Sequence, residues 1–267
     1  VIDLLFRIFC LPGIDNTIIL PPTYGMYEVS ATINDVLVKH VALTEEFDLN
    51  IPSIKNAIDE KTKLLFVCSP NNPTGNALDR DRVISLAKIF DGILVVDEAY
   101  IDFSSRPSLM SEIDNIPNLV VLQTFSKAWG LAGLRVGMAY ADASIIALLN
   151  KVKPPYNVNA ASQRAVLAAL ENKAVVERNI AAILDERVRL VESLKKRALT
   201  RMVFPSDANF VLVKTTDANA AYRFLLDDGI VVRNRSSVEL CEGCLRITVG
   251  TPVENAALID SLRRFEG

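Results

Sequence analysis

The stretch Leu64–Gly75, LLFVCSPNNPTG, joins an uninterrupted apolar run to a polar turn. Short apolar runs of this kind are typical of strands in a parallel sheet that is buried on both faces. Three further runs have the same form and are each followed by a polar cluster, at residues 18–24 (IILPPTY), 93–100 (ILVVDEAY) and 119–127 (LVVLQTFSK). Helical patterns separate several of the runs. The sequence therefore predicts an α/β fold with a mostly parallel sheet.

The helices of this region are predicted from apolar spacing and from capping residues. A helix is expected over Ile2–Phe9, with no residue before it that could cap its first turn. Ser53 is expected to cap a helix over 53–59, and Asp79 one over 79–90. The apolar run Val136–Ala139 is expected to add another buried strand.

The second half of the chain changes character and predicts a separate, smaller unit. The pattern is helical from Ala143 to about Arg197, and the segment 175–199 is long enough to link two domains. The rest predicts three strands and two helices, in the order 209–213 (strand), 218–226 (helix), 230–233 (strand), 245–249 (strand) and 254–265 (helix). We expect a large domain over 1–172 and a small α+β domain over 173–267, joined by the long helix.

Composition limits the classes of partner and of chemistry. The chain has 267 residues, half of them hydrophobic, and a net charge of −3, so it offers no basic face to nucleic acid or to an anionic membrane. No apolar run reaches the roughly 20 residues of a membrane helix, and no signal peptide is evident, so we expect a cytoplasmic enzyme of small molecules. The single histidine, His40, and the isolated Cys241-x-x-Cys244 predict no metal site.

The polar clusters follow the predicted strands at their carboxyl ends, where open α/β sheets bind ligands. They should therefore converge on one crevice. Together they supply the amine of Lys127, the carboxylate of Asp97, the phenol of Tyr100 and the amide of Asn72, and Arg135 adds a guanidinium. This inventory suits a phosphorylated aldehyde cofactor.

Three motifs carry a resemblance to a known family. NPTG at 72–75, DEAY at 97–100, and SK at 126–127 followed eight positions later by Arg135 resemble the signature of the fold-type-I aminotransferases that depend on pyridoxal phosphate. The resemblance implies that Lys127 holds the cofactor covalently and moves the proton of the reaction. It also implies that Asp97 pairs with the ring nitrogen of the cofactor.

The same resemblance implies roles for the other members of the clusters. Asn72 and Tyr100 would bind the phenolic oxygen of the cofactor, and Tyr24 would stack on its ring. Its phosphate would be bound by Thr124, Ser126 and Arg135. The family also leads us to expect cis peptide bonds before Pro22 and Pro73.

Four further stretches are similar to the histidinol-phosphate aminotransferase branch of this family, namely YGMY at 24–27, LAGLR at 131–135, PYNVN at 155–159 and LRITVG at 245–250. Membership implies a step of histidine biosynthesis with histidinol phosphate, glutamate and 2-oxoglutarate as substrates. Arg233 and Arg246 would bind the phosphate or carboxylate of the substrates. Asn157 and Tyr27 are expected as further substrate residues, and a homodimer with its site at the interface is implied.

Other interpretations of these residues remain open at this point. Taken singly, NPTG is an ordinary turn, Asp97 a cap, Arg135 an ion-pair partner and Arg246 a solvent-facing strand residue. Their joint placement at strand ends favours the cofactor site. Threonine-phosphate decarboxylase, an aromatic amino-acid aminotransferase and a non-catalytic binding module are the alternatives.

The start of the chain differs from the family pattern. The chain begins at Val1, without an initiator methionine, whereas relatives carry further residues upstream. Those residues include a tyrosine that reaches the partner subunit's site. We expect an N-terminally truncated chain that holds the cofactor poorly by itself.

Overall fold

The computed structural model describes residues 1–267, and the chain forms two β-sheets. The first sheet has six strands in the order β2-β1-β3-β4-β5-β6. Its strands are β1 (Asn16–Ile19), β2 (Leu37–His40), β3 (Thr62–Cys68), β4 (Ile93–Asp97), β5 (Leu119–Thr124) and β6 (Gly137–Ala141). Strands β1 to β5 are parallel, and β6 pairs antiparallel with β5. The prediction of an α/β fold with a mostly parallel sheet is confirmed.

Helices cover both faces of this sheet, which explains the uninterrupted apolar runs. They are α1 (Ile2–Phe9), α2 (Met26–Ile33) and α5 (Ala143–Val152) on one face, and α3 (Ile51–Ala57) and α4 (Arg80–Ile89) on the other. Helix α6 (Ala160–Glu171) follows α5 along the chain. Successive side chains of a strand point to opposite faces. In β3, Leu65 and Val67 belong to one apolar cluster, while Leu64 and Phe66 belong to another on the opposite face.

The second sheet is smaller and antiparallel. Its order is β7-β8-β10-β9, with β7 (Thr200–Val203), β8 (Phe210–Thr215), β9 (Arg233–Asn234) and β10 (Cys244–Thr248). Helices α7 (Lys173–Lys195), α8 (Ala218–Asp227) and α9 (Pro252–Glu266) share an apolar core with this sheet. The long helix α7 connects the parts of the chain that form the two sheets, and the domain limits 1–172 and 173–267 stay a prediction.

Several element predictions agree with the structure. Helix α1 spans Ile2–Phe9 and has no side-chain cap at Val1. Asp79 caps α4 by accepting a hydrogen bond of 2.9 Å from the Arg82 amide. The peptide bonds before Pro22 and Pro73 are cis, and a third cis bond, before Pro70, was not predicted.

Other element predictions were wrong. Ser53 does not cap α3, because Asn50 caps it and accepts from the Ser53 amide at 3.3 Å. The strand expected over 230–233 is reduced to Arg233–Asn234, and β7 was not predicted. Most of the run 136–139 lies in β6, an antiparallel edge strand whose first residue is exposed and whose other residues are only partly buried. None of the helices has both the length and the apolar character that crossing a membrane requires.

Candidate active site

One cavity of about 990 Å³ opens at the carboxyl ends of β3, β4 and β5 and extends to the second sheet. The parallel arrangement of these strands places their polar turns at the same edge. All the predicted site residues except Tyr27 line this cavity: Tyr24, Asn72, Asp97, Tyr100, Thr124, Ser126, Lys127, Arg135, Asn157, Arg233 and Arg246. The sequence prediction that the clusters converge is therefore met by the geometry.

Asp97 is the last residue of β4 and is 8 % exposed. One carboxylate oxygen accepts from the Ala99 amide at 3.0 Å, and the other accepts from the Tyr27 hydroxyl at 2.8 Å. Burial raises the pKa of Asp97, and these two hydrogen bonds and the charge of Lys127 act in the opposite direction. Asp97 is thus a buried carboxylate at the cavity wall with neutral donors as its bonded partners.

Tyr27 does not have the role that the sequence suggested. Its side chain is fully buried, and it is not among the cavity-lining residues. Its ring stacks on Phe66, with 4.7 Å between the ring centroids, while its hydroxyl donates to Asp97. The expectation of a substrate contact is corrected, because Tyr27 lies behind the cavity wall and supports the carboxylate.

Lys127 lies in the turn that follows β5 and is the only lysine that lines the cavity. Its Nζ is 5.1 Å from the ring centroid of Tyr100. Burial, followed by the charge of Arg246, lowers the pKa of Lys127; Asp97 acts the other way. A lowered pKa increases the neutral fraction of the amine, which is the form that acts as a nucleophile or base.

Tyr100 is buried between the two sheets. Its ring meets that of Phe210 edge to face, with 5.1 Å between the centroids. Burial raises the pKa of Tyr100 to about 12. Its hydroxyl therefore keeps its proton near neutral pH and can donate a hydrogen bond into the cavity.

Asn72 and Arg246 join the two sheets at the cavity. Nη1 of Arg246, on β10, donates to Oδ1 of Asn72, in the turn after β3, over 2.8 Å. A guanidinium has no acceptor, so the amide atom that faces it has to be the oxygen. The amide NH₂ of Asn72 thereby remains available as a donor.

A third group of residues that line the cavity comprises Thr124, Ser126, Arg135 and the first residues of α1. Thr124 Oγ1 accepts from the Ser126 amide at 3.0 Å. Arg135 has a left-handed backbone with φ of 59°, a conformation that costs a non-glycine residue about 1–3 kcal/mol and is concentrated at functional sites. Val1 and Ile2, at the start of α1, line the same cavity, and free amides at a helix start attract anions.

Tyr24 and Asn157 lie at the more open side. Tyr24 is 38 % exposed and meets the ring of Tyr27 edge to face at 5.6 Å. Burial raises the pKa of Tyr24, with a smaller contribution from Asp97. Asn157 lies in the exposed connection between α5 and α6.

Comparison with known proteins identifies the family. Residues 1–262 match the family described as aminotransferase class I and II. The chain belongs to this family.

Two similar proteins extend the comparison. A histidinol-phosphate aminotransferase of Parabacteroides distasonis is 50 % identical over 265 residues, which are 99 % of this chain and 77 % of the relative. The crystal structure of the histidinol-phosphate aminotransferase from Clostridium acetobutylicum superposes with a TM-score of 0.91 at 26 % identity, over 99 % of this chain and 80 % of that one.

A third comparison concerns the fold. The histidinol-phosphate aminotransferase from Sinorhizobium meliloti, solved in complex with pyridoxal-5'-phosphate, has a TM-score of 0.87 at 21 % identity, over 99 % of this chain and 74 % of that one. At this identity the likeness concerns the fold alone.

The aminotransferase cavity also contains residues that sequence reasoning missed. Arg235, Cys68 and Gln123 all line it. Cys68 is paired in register with Asp97 across β3 and β4. A signal for Arg235 existed, since Arg233 and Arg235 are two apart and alternate residues of an extended segment share a face.

Proposed function

We propose that this aminotransferase uses pyridoxal phosphate to interconvert histidinol phosphate and imidazole-acetol phosphate, with 2-oxoglutarate and glutamate as the other pair, in histidine biosynthesis. The observation that carries the proposal is the cavity that brings Lys127, Asp97 and Arg246 together. The relative that is 50 % identical along 99 % of the chain supports the choice of substrate. Eleven of the expected site residues line this one cavity. Such an arrangement is not expected of unrelated surface residues.

The residues present fit pyridoxal phosphate. Asp97 is buried and forms no ion pair, and a protonated ring nitrogen is the kind of cation that such a carboxylate needs. Tyr100 and the NH₂ of Asn72 are donors suited to a phenolic oxygen. Arg135, Thr124, Ser126 and the start of α1 supply cationic and neutral donors for a phosphate. Lys127 supplies the amine that an aldehyde requires.

The cofactor, when bound, supplies an electron sink for the negative charge left on the substrate carbon that loses its proton. Asp97 would keep the ring nitrogen protonated, and Tyr27 would hold Asp97 ionised by donating to it. Lys127 would hold the cofactor through its amine and would act as the base that accepts the proton from the substrate α-carbon and as the acid that returns it. Its lowered pKa favours the neutral amine for that purpose.

The substrate end of the cavity is cationic. Arg246 and Arg233 are directly paired across β10 and β9 and both line the cavity. A guanidinium binds phosphate and carboxylate through two parallel hydrogen bonds, which suits both substrates of the reaction. The amine of the substrate would thereby be directed toward Lys127.

A donor screen tests the proposal. The enzyme loaded with pyridoxal phosphate is mixed with histidinol phosphate, phosphothreonine or phenylalanine, and conversion of the cofactor is followed by absorbance. Histidinol phosphate with 2-oxoglutarate is expected to give glutamate. Release of CO₂ from phosphothreonine would indicate a threonine-phosphate decarboxylase. A preference for phenylalanine would indicate an aromatic amino-acid aminotransferase. The absence of any conversion would favour a binding module.

The implied homodimer and cytoplasmic location are part of the same proposal. Exposed apolar residues such as Tyr156, which is 93 % exposed, lie beside the cavity-lining segment around Asn157 and offer a surface for a second copy. Sedimentation of the purified chain would give its mass in solution. A monomer at micromolar concentration would contradict the expected dimer of this chain.

A further inference from the structure

Three arginines share one face of the second sheet at the cavity. Arg233 on β9 is directly paired with Arg246 on β10, and paired residues of antiparallel strands present their side chains on the same face. Arg235 follows Arg233 by two positions, so its side chain lies on that face as well. All three residues line the cavity.

These arginines have no anionic partner. None of the ion pairs of the structure includes Arg233, Arg235 or Arg246. The Nε atoms of Arg235 and Arg246 are buried and have no hydrogen-bond partner. Burial lowers the pKa of Arg246, and the charges of Arg235 and Arg233 lower it further. The carboxylates among the lining residues are Asp3 and Asp97, and Asp97 is bonded to Tyr27 and Ala99.

Such an arrangement is unfavourable without a ligand. Like charges directly opposite each other across a sheet destabilise it, and buried donors without partners lose their hydration without compensation. A bound anion removes both costs. The number of cations suits a phosphate ester, which carries about −1.5 to −2 charges near neutral pH and has three acceptor oxygens.

Arg235 is held in place by its backbone. Its amide donates to the Cys244 carbonyl at 2.8 Å, which continues the pairing of β9 with β10. Its carbonyl accepts from the Val238 amide at 2.9 Å. The next residue, Ser236, donates its amide to the Asn234 side chain at 2.9 Å. These bonds fix the backbone of Arg235 next to the pair formed by Arg233 and Arg246.

We infer that Arg235 is a specificity-determining residue that gives the site its preference for a phosphate-bearing amine over a carboxylate-bearing one. The inference rests on the proposed function, in which both kinds of substrate use this end of the cavity. Arg246 and Arg233 suffice for a single carboxylate, which accepts two parallel hydrogen bonds. Arg235 adds a third cation, whose attraction to a dianion is about twice that to a monoanion at the same distance.

The test compares Arg235→Gln and Arg235→Lys with the wild-type enzyme loaded with pyridoxal phosphate. In Arg235→Gln the KM for histidinol phosphate should rise on the order of tenfold or more, while that for glutamate changes less than about threefold. Arg235→Lys keeps the charge but loses the planar guanidinium, so its KM for histidinol phosphate should lie between those of the wild type and Arg235→Gln. Arg223→Gln is the matched control, since Arg223 is exposed on α8 and does not line the cavity.

Calorimetric titration of inorganic phosphate into the same proteins gives a readout that does not depend on turnover. Arg235→Gln should weaken phosphate binding on the order of tenfold, and Arg223→Gln should not. Thermal unfolding of each variant verifies that it is folded. If Arg235→Gln is not folded, Arg235→Lys replaces it as the test variant.

Unchanged phosphate affinity and unchanged KM for histidinol phosphate in Arg235→Gln would overturn the inference, as would an equal loss for glutamate. Failure of the wild-type enzyme to convert histidinol phosphate would instead overturn the proposed function. In that case Arg235-dependent binding of inorganic phosphate would still support the anion-binding role of Arg235.

Discussion

The hydroxyl of Tyr27 donates a hydrogen bond of 2.8 Å to Oδ2 of Asp97, and both side chains are buried. The bond connects α2 to the end of β4, and the ring of Tyr27 is fixed by stacking on Phe66 of β3. Burial disfavours the charged form of a carboxyl, whereas a donated hydrogen bond favours it. Tyr27 therefore counteracts the cost of keeping a carboxylate at this depth.

Tyr27→Phe removes only this hydroxyl. A hydrogen bond to a charged group contributes about 1.5–3 kcal/mol, so the cofactor should bind the variant on the order of 10- to 100-fold more weakly. The pKa of Asp97 should rise, because a bond that lowers it is lost. The acidic limb of kcat/KM should consequently move to higher pH. Tyr222→Phe, on α8, is the control, and identical pH profiles for wild type and Tyr27→Phe would disprove the supporting role.

Lys127 should be the residue that holds pyridoxal phosphate. It is the only lysine that lines the cavity, and its lowered pKa makes its amine reactive. Borohydride treatment of the loaded enzyme, followed by peptide mapping, should find the cofactor on Lys127 alone. Lys127→Ala should retain the fold but not take up the label. Lys151 lies on α5, and the control variant Lys151→Ala should still be labelled. A label on another lysine would contradict the assignment.

Arg246→Ala should impair both half-reactions. Under the proposed function both substrates would bring an anion to Arg246, and truncating one member of a buried, charge-assisted pair costs about 2–5 kcal/mol. The variant also releases Oδ1 of Asn72 from its 2.8 Å bond, so the amide loses its fixed orientation. Half-reactions with histidinol phosphate and with glutamate, measured separately by absorbance, provide the check. Wild-type affinity for both substrates would locate the anion site elsewhere.

The reactivity of Lys127 should depend on the charge of Arg246. That charge lowers the pKa of Lys127, so Arg246→Gln should raise it and reduce the neutral fraction of the amine at a given pH. The rate at which cofactor-free protein captures pyridoxal phosphate, measured against pH, should have its midpoint at higher pH in Arg246→Gln. Arg246→Lys preserves the charge and should leave the midpoint close to that of the wild type. Equal midpoints in the Gln variant and the wild type would rule out this coupling.

The sequence predicts the structure best where a feature depends on neighbouring residues alone, such as a helix cap or an apolar strand. Asp79 has the right chemistry for a cap and caps α4, and the apolar runs of β3, β4 and β5 became the centre of the parallel sheet. Strand ends in such a sheet share one edge, so the positions of Asn72, Asp97 and Lys127 followed from topology.

The failures have identifiable physical causes. The hydroxyl of Ser53 suits a cap, but Pro52 is favoured in the first turn of a helix and marks the earlier start at Asn50. The direction of β6 depends on how tightly the chain reverses around Arg135, which apolar periodicity does not encode. The local sequence does not predict the burial of Tyr27, because the partner of its hydroxyl, Asp97, is 70 residues away.

The bond between Arg246 and Asn72 has a practical consequence for redesign. Arg246 lines the cavity and also holds the amide of Asn72. Under the proposed function, changing Arg246 would therefore alter substrate range and cofactor retention together. Arg233 and Arg235 have no such bond to the first sheet. A library intended to accept new amines while leaving cofactor retention intact would therefore vary Arg233 and Arg235 and leave Arg246 fixed.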